Sequence, residues 1–490
     1  MKQRTIASGV AVLALTIWST CAHAQILPLR KPPLPFPSGY DFPADPNKLQ
    51  EMIRARDTAG LRHHGWYLWA GVNQPGYDNW PIWRSWSIPT QAFAPPSTPA
   101  AQPNIGATAT SRGKSLAIRN QSNNPTVNLD LPVYLIPDAV RIRNEKALSK
   151  ITNSAAIPDG DNFQNNGDLM LVSEPYSSPA FDYIRKDNLF LSSTLNALMR
   201  AAKSDIPQGP PTAIVMKHMY WPVKRDGFSA LPLVDVNNYY TQANPVTTYV
   251  GFENQERWPR AVAIDPTRDV IPPGETADVT FLYDVQRLTP GQNPLVPWGP
   301  NTYKGAAVVP ITAFYHKKLS QAEFDALSDN DRALIDASFY WAHGRVFQDG
   351  DYLVAIASHV ITKEIPQWTL QTLWWSDQPD ADNEFTRDRP DIPDAKGPWR
   401  HYLLASEYGI TVAPNELPIR YNPYIELASH PVQTNCRNCH VRASWPTGAY
   451  IQNPGPSAVA DIQPNDPIFA ESLRTDFLWT IPDRAIKPGP

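Results

Sequence analysis

The chain has 490 residues, with 43 Lys and Arg against 47 Asp and Glu, which gives a net charge of −4 at pH 7. An acidic chain of this kind has no broad basic surface for phosphate backbones, so the composition excludes nucleic acid as the partner. Its length exceeds that at which a single hydrophobic core stops growing, and its 52 prolines favour a loop-rich fold.

The first 24 residues have the pattern of a cleaved secretory signal. Lys2 and Arg4 precede an apolar run over 6–18, and Ala22-His-Ala24 resembles a cleavage site before Gln25. We therefore predict a periplasmic or secreted protein. Cleavage would remove two basic residues and no acidic one, so the net charge of the mature chain would be −6 (−4 minus 2).

The cysteines and the hydropathy pattern bear on lipid anchoring, membrane spans and disulfides in the mature chain. A lipoprotein anchor on Cys21 is the alternative to cleavage, but Trp18 stands where that signal takes a small aliphatic residue. No later stretch reaches the roughly 18–20 apolar residues of a membrane span. Only Cys436 and Cys439 remain, so we expect no disulfide framework.

Apolar spacing predicts the elements in chain order. A helix is predicted over 47–71, and a surface excursion rich in Pro, Ala, Ser and Thr follows over 89–103. Later helices are predicted over 188–202 and, as a pair that opens with a Ser320–Glu323 capping box, over 320–341. Short apolar runs predict strands at 127–136, 212–223, 246–252, 276–285, 303–315, 352–361 and 367–375.

Cys436-Arg-Asn-Cys439-His440 is a C-x-x-C-H motif. Residues three apart share one face of a helical turn, so both thiols can reach the two vinyl groups of one porphyrin while His440 lies under its iron. A thioredoxin-type disulfide would open a helix after a strand, and a structural zinc site needs four ligands. The Pro- and Asn-rich flank and the missing second cysteine pair disfavour both alternatives. The motif predicts one covalent haem c with His440 as the proximal iron ligand.

The motif resembles that of the c-type cytochromes. In small cytochromes c it lies near the start of a helical domain and a methionine ligand follows, whereas the 50 residues after His440 contain no Met, His or Cys. Segments 212–221, 359–363 and 368–372 also resemble large secreted mono-haem relatives of cytochrome c that have no assigned activity. That second resemblance implies an architecture and no particular reaction.

These patterns together predict an α+β fold. Its body is expected to be mainly antiparallel β, sandwich-like, with several helices and a C-terminal haem c segment. The predicted boundaries are a signal peptide at 1–24, a Pro/Trp-rich helix-containing region at 25–110, a β-rich body at 111–425 and the haem segment at 426–490. The short, Pro-rich tail after His440 is expected to pack on the body rather than to enclose a porphyrin alone.

Any Met or His on the other side of the iron must come from upstream of the motif. Each candidate is either a distal or pocket residue or an ordinary core side chain, and the candidates are His64, Met216, His218, Met219, His359 and His430. For one of these side chains to bind the iron, the haem segment would have to dock tightly on the β-rich body. We therefore predict an iron that is five-coordinate or readily opened.

Two further features each have a functional and a structural interpretation. A stacking platform, a porphyrin wall or core packing would each explain the tryptophan cluster of Trp66, Trp69, Trp80, Trp83 and Trp86. The acidic loop over 376–394 is either a calcium site or a solvated loop, although its spacing does not follow the EF-hand.

Three functions fit the sequence, and it leaves open whether the protein is an enzyme. The first is a periplasmic electron-transfer cytochrome with a redox partner protein. The second is a haem-dependent oxidoreductase with an open iron site and a pocket for a small-molecule substrate in the β-rich body. The third is a haem-based sensing or binding module.

Overall fold

The computed structural model describes residues 40–75, 81–95, 133–134, 143, 164–165, 171–233, 260–281, 287–288, 301–327, 329–410, 420, 422–425, 435–446, 462 and 465–486. The predicted signal peptide and the candidate ligand His430 lie outside these residues. Among the helices described, none is both long and apolar enough to span a bilayer.

Helices and short 3-10 turns flank the sheets. The helices are α1 (Pro46–Ala55), α2 (Thr58–Val72), α3 (Pro89–Ala92), α4 (Ser178–Lys186), α5 (Ser192–Arg200), α6 (Gln321–Asp325), α7 (Asp329–His343), α8 (Cys436–His440) and α9 (Thr480–Arg484). The 3-10 turns are Ile82–Ser85, Ile311–Ala313, Trp399–His401 and Pro467–Phe469.

The strands vary from two to eleven residues. They are β1 (Val133–Tyr134), β2 (Gln164–Asn165), β3 (Leu171–Ser173), β4 (Ile214–Val223), β5 (Ser229–Leu233), β6 (Arg260–Asp265), β7 (Thr276–Phe281), β8 (Arg287–Leu288), β9 (Asn301–Pro310), β10 (Tyr315–Lys318), β11 (Tyr352–Thr362), β12 (Thr369–Trp375), β13 (Tyr402–Glu407), β14 (Ser444–Trp445) and β15 (Leu473–Arg474).

Antiparallel pairing dominates the described part of the chain. The largest sheet has seven strands, in the order β13-β12-β11-β4-β3-β2, with β10 paired to the first half of β11. A four-stranded sheet has the order β5-β6-β9-β7, in which only β6 and β9 are parallel. The predicted α+β fold with a mainly antiparallel, β-rich body is confirmed.

The seven-stranded sheet, which we call the main sheet, is covered on both faces. Trp374 and Trp375 point to opposite faces of β12, and each is only 1% exposed. The Trp375 indole donates to the carbonyl oxygen of Ala313 at 2.8 Å and its ring stacks on Phe314. One hydrophobic cluster joins residues of the main sheet, the four-stranded sheet and helix α2. The apolar runs that predicted β11 and β12 thus become the centre of the core.

The first predicted helix is in fact two. Arg56 adopts a left-handed φ of 53° and ends α1, and the Asp57 side chain accepts from the Gly60 amide at 2.9 Å to cap α2. The helix predicted over 188–202 begins later, at Ser192, because the turn after Lys186 continues to Leu191. The Ser320–Glu323 capping box is confirmed.

Candidate functional site around the C-x-x-C-H motif

The motif forms the short helix α8, which is tied to the edge of the main sheet. The Asn435 side chain accepts from the Asn438 amide at 3.2 Å, so it caps the helix. The amide nitrogen of the same side chain donates to Oε2 of Glu407 at 2.9 Å. Glu407 is the last residue of β13, so the sheet determines where α8 begins.

The two cysteines lie on one turn of α8 and are partly buried. They are not joined to each other by a disulfide. Sγ of Cys436 lies 3.5 Å from the carbonyl oxygen of Arg420, and Cys436 packs against an apolar cluster that includes Trp368, Trp445 and Leu478. The Cys436 thiol therefore stands beside an apolar surface of the protein, one helical turn from the Cys439 thiol.

The ring of His440 is oriented by a hydrogen bond to the backbone. Nδ1 of His440 lies 2.8 Å from the carbonyl oxygen of Phe477. Because a carbonyl oxygen can only accept, Nδ1 carries the proton and Nε2 is the nitrogen with a lone pair for a metal. Histidine ligands of metals usually donate their second ring N–H to a carbonyl or carboxylate in this manner.

The carbonyl that accepts from His440 belongs to an unusual turn. Leu478 N donates to the carbonyl oxygen of Thr475 at 2.9 Å, and the two residues between them have left-handed φ angles, 50° at Asp476 and 67° at Phe477. Turns with two positive φ angles normally take Asn or Gly there. A non-glycine residue in this region costs about 1–3 kcal/mol, so the surrounding structure must hold the turn in place.

A buried ion pair connects this turn to the end of β11. Nζ of Lys363 lies 2.5 Å from Oδ1 of Asp476, and the two side chains are 3% and 1% exposed. Oδ2 of Asp476 accepts from the Gly209 amide at 3.0 Å, and Lys363 also donates to the carbonyl oxygen of Pro366 at 2.6 Å. Burial raises the pKa of Asp476 and lowers that of Lys363, because each charged form loses its hydration.

Further contacts join the region after α8 to the helices beside the main sheet. Strands β14 and β15 pair with each other, and Arg474 forms a bidentate ion pair with Asp205 at 2.7 and 2.5 Å. The Trp445 indole donates to Oδ1 of Asn196 at 2.9 Å. The backbone of Ser192 donates to Ile486 at 3.0 Å. The C-x-x-C-H motif and the described residues downstream therefore pack on the body.

His64 lies in a buried polar cluster near α8. Its Nδ1 is 2.7 Å from the hydroxyl oxygen of Tyr408, and its Nε2 is 3.2 Å from Oε2 of Glu364. Burial alone would raise the pKa of Glu364, but His64 and hydrogen bonds from Thr362 and the Ala44 amide lower it below the usual value. Tyr408 follows Glu407 directly, so this cluster is one residue from the contact that anchors α8.

The other candidates on β4 lie inside the body. His218 is fully buried, its Nδ1 lies 2.8 Å from the Ser358 hydroxyl, and its ring packs on Trp83 at a centroid distance of 3.8 Å and an interplanar angle of 32°. Burial, with Arg84 and His359, lowers the pKa of His218 to about 3. Met216 and Met219 are buried in the main hydrophobic cluster. These three side chains are core residues in this structure.

His359 differs from the candidates on β4. It is partly buried on β11, where it stands opposite Lys217 on one side and Thr372 on the other. Since Ser358 pairs with His218, the alternation along the strand directs His359 to the opposite face of the sheet. The structure therefore does not bring His359 and His218 to one face.

The tryptophan cluster packs in the core rather than forming an open platform. Trp66, Trp69, Trp83 and Trp86 are at most 5% exposed, whereas Trp80 lies outside the described residues. The Trp69 indole donates to the Trp399 carbonyl at 3.1 Å, and Trp83 donates to Oδ1 of Asn73 at 2.9 Å. Core packing explains both the burial and the satisfied N–H groups.

In the acidic loop, ion pairs with arginine take up three of the carboxylates, among them Asp388, which lies 3.5 Å from Arg62. Asp377 lies 2.6 Å from Arg260, and Asp380 contacts Arg389 at 3.3 Å and Arg400 at 3.1 Å. Over the part of the chain that the structure describes, no group of three or more His, Cys, Asp or Glu side chains is arranged to hold a metal ion. Ion pairing with arginine therefore accounts for these three carboxylates.

Several residues of the site were not predicted. The role of Asn435 could have been predicted from the sequence, because Asn directly before a short helix is a preferred N-cap. The sequence gives no such signal for Lys363, Asp476 or Phe477. Lys363 contacts Asp476 across 113 positions of the chain, and Phe477 contacts His440 across 37.

No protein-family model matches the chain, and neither a curated protein nor a solved structure is similar to it. Support for a function therefore comes from the residues around α8 themselves.

Proposed function

We propose that this chain is an exported, mono-haem c-type redox protein that acts in electron transfer, with haem c joined to Cys436 and Cys439 and with His440 as the proximal iron ligand. The observation that carries the proposal is the bond from Nδ1 of His440 to the Phe477 carbonyl, because it directs Nε2 to a metal. The basic, apolar and small-residue pattern of residues 1–24 supports export. Haem attached here would supply one-electron chemistry at its iron.

The residues around the motif fit such a group. Two thiols on one helical turn can each form a thioether to the same porphyrin, and both are partly buried rather than enclosed. The apolar cluster against which Cys436 packs excludes water from that side. The Phe477 carbonyl draws on the Nδ1 proton and so makes Nε2 a more basic ligand.

Covalent attachment is the direct test. The full chain is produced in cells that attach haem c and is examined on a denaturing gel stained for haem. We expect Cys436→Ala combined with Cys439→Ala to lose the stained band, and His440→Ala to shift the Soret band. Arg437→Ala is the matched control, because Arg437 lies within α8 but is neither a thiol nor the predicted ligand. Haem that stays attached to the double variant would contradict the proposal.

A haem-dependent oxidoreductase is the second candidate, and the placement of the upstream residues favours it. Both ring nitrogens of His64 lie against partners, and Met216, His218 and Met219 are held in the core. Delivery of any of these four side chains to the iron would break those contacts, which leaves His359 and His430 as the candidates for a sixth ligand and favours a position that is open or readily opened. Stoichiometric carbon monoxide binding to the reduced protein supports this candidate. A low-spin ferrous spectrum indifferent to carbon monoxide favours the electron carrier.

A further inference from the structure

The buried ion pair and the turn beside His440 form one connected unit. We infer that Lys363 and Asp476 are positioning residues for the proximal histidine, which they control through the carbonyl of Phe477. The inference rests on the proposed function, since it concerns the iron ligand of that same site. It assigns a role in setting the reduction potential to two residues that lie outside the motif.

The link between the turn and His440 is a single peptide unit. The bond between Phe477 and Leu478 carries both the N–H that donates to Thr475 at 2.9 Å and the C=O that accepts from His440 at 2.8 Å. A planar trans peptide holds its N–H and C=O in opposite directions. Closing the turn on Thr475 therefore aims the carbonyl outward at His440, and opening the turn rotates the carbonyl away.

The residues of the turn do not favour the backbone conformation that closes it. Both of its central residues carry a Cβ and have positive φ angles, 50° at Asp476 and 67° at Phe477. The Asp476 carboxylate counters this preference, since one oxygen binds Lys363 and the other accepts from the Gly209 amide. Asp476 is thus fixed from two directions by the body.

Lys363 is itself held firmly. It directly follows β11, donates to the Pro366 carbonyl at 2.6 Å and lies over the Trp368 ring at 5.4 Å from its centroid. The ammonium therefore stays in place when Asp476 changes. The main sheet, through this ammonium, sets the position of the turn and so of the His440 acceptor.

Loss of the ion pair has a specific chemical consequence at the ligand. If the Phe477 carbonyl turns away, Nδ1 of His440 loses its acceptor and the imidazole becomes a weaker donor to iron. A weaker donor stabilises the ferric state less, so the midpoint potential rises. The Nδ1 proton also exchanges faster with solvent, because it is no longer held in a partly buried hydrogen bond.

The experiment compares two ion pairs in the haem-loaded full chain. Asp476→Asn removes the negative charge of the ion pair while keeping the shape of the side chain. Asp205→Asn is the matched control, because Asp205 pairs with Arg474, two residues before Asp476, and acts on Lys363 only through its charge, without the hydrogen bond that Asp476 makes. Midpoint potential is measured by spectroelectrochemistry, and exchange of the His440 Nδ1 proton by NMR in deuterated buffer. We expect Asp476→Asn to raise the potential and to speed exchange at least tenfold, with a much smaller change of both in the control.

A rescue variant separates positioning from general destabilisation. Phe477→Gly keeps the carbonyl and replaces a residue that resists positive φ with one that accepts it. In the Asp476→Asn background it should return the proton exchange rate and the potential toward the wild-type values. A double variant that is unfolded, or that retains fast exchange, overturns the inference.

The outcomes distinguish this inference from the proposed function. A haem-loaded Asp476→Asn protein with unchanged potential and exchange overturns the positioning role alone. A shift of equal size in Asp205→Asn also overturns it, because any ion pair of the region would then have the same effect. A wild-type chain that carries no covalent haem overturns the proposed function and this inference together.

Discussion

The main sheet and the C-terminal segment, defined as residues 435–446 and 465–486, are stabilised in different ways. In the main sheet every residue of β12 is buried, and β4 and β11 run for 10 and 11 residues. In the C-terminal segment β14 and β15 have two residues each, and α8 and α9 have five. The sheet is held by apolar burial along long strands, whereas the segment combines a smaller apolar cluster that it shares with the body with directional polar contacts.

This difference shows how a short motif is given a fixed geometry. Isolated helices of five residues and two-stranded ribbons are not stable in water, so the segment takes its stability from what it docks on. Charged pairs and side-chain caps are directional, which makes them suited to orienting His440. Apolar burial supplies the rigid surface against which they act.

The largest expected effect comes from damaging the sheet. Trp375→Ala removes a fully buried indole that stacks on Phe314 and donates to Ala313, and should cost about 3–5 kcal/mol of unfolding free energy. Urea unfolding followed by far-UV circular dichroism measures the loss. Trp375→Phe is the control and should cost less, since it keeps a stacked ring. Amide exchange in the C-terminal segment should rise together with that of the sheet. Protection that persists in the segment would show that it folds independently.

The next effect is a pH dependence that arises in the body. Burial lowers the pKa of His218 to about 3, and that of His343 also to about 3, whereas an unfolded histidine titrates near about 6.5. Between these values the unfolded chain binds more protons, so the free energy of unfolding falls as the pH decreases. Each residue should contribute up to about 1.4 kcal/mol per pH unit.

Substitution of either histidine tests this origin. His218→Gln and His343→Gln should each reduce the slope of unfolding free energy against pH between about 6 and 4, by up to one proton. Urea titrations at several pH values measure the slope. An unchanged slope in both variants would show that the acid sensitivity arises outside the body core.

The regions also differ in how far the sequence predicted them. The strands predicted over 352–361 and 367–375 are found at Tyr352–Thr362 and Thr369–Trp375, because uninterrupted apolar runs are typical of strands buried on both faces. Strands β5, β6 and β13 and helix α4 were missed. Their pairing or packing partners, rather than their own patterns, determine their structure.

At the site, the sequence predicts the chemical groups but not what orients them. The spacing of Cys436, Cys439 and His440 indicates the attachment motif directly. The acceptor for His440 depends on a turn at Asp476 and Phe477 that lacks the Asn or Gly by which such turns are predicted. The ion pair that holds this turn joins residues 113 positions apart, which no local pattern reports.

The smallest expected effect compares two helix caps, one in each region. Asn435→Ala removes the acceptor for the Asn438 amide and the bond to Glu407, and Ser320→Ala removes the matching cap of α6 in the body. Each should cost about 1 kcal/mol locally. Because α8 has few apolar contacts of its own, we expect Asn435→Ala to raise amide exchange over 436–443 without moving the urea midpoint. Ser320→Ala should lower that midpoint, since α6 packs through Phe324 into the main core. If Asn435→Ala instead lowers the midpoint as much as Ser320→Ala does, the segment is part of the same cooperative unit as the sheet, and the contrast between the two regions lies in their contacts rather than in their stability.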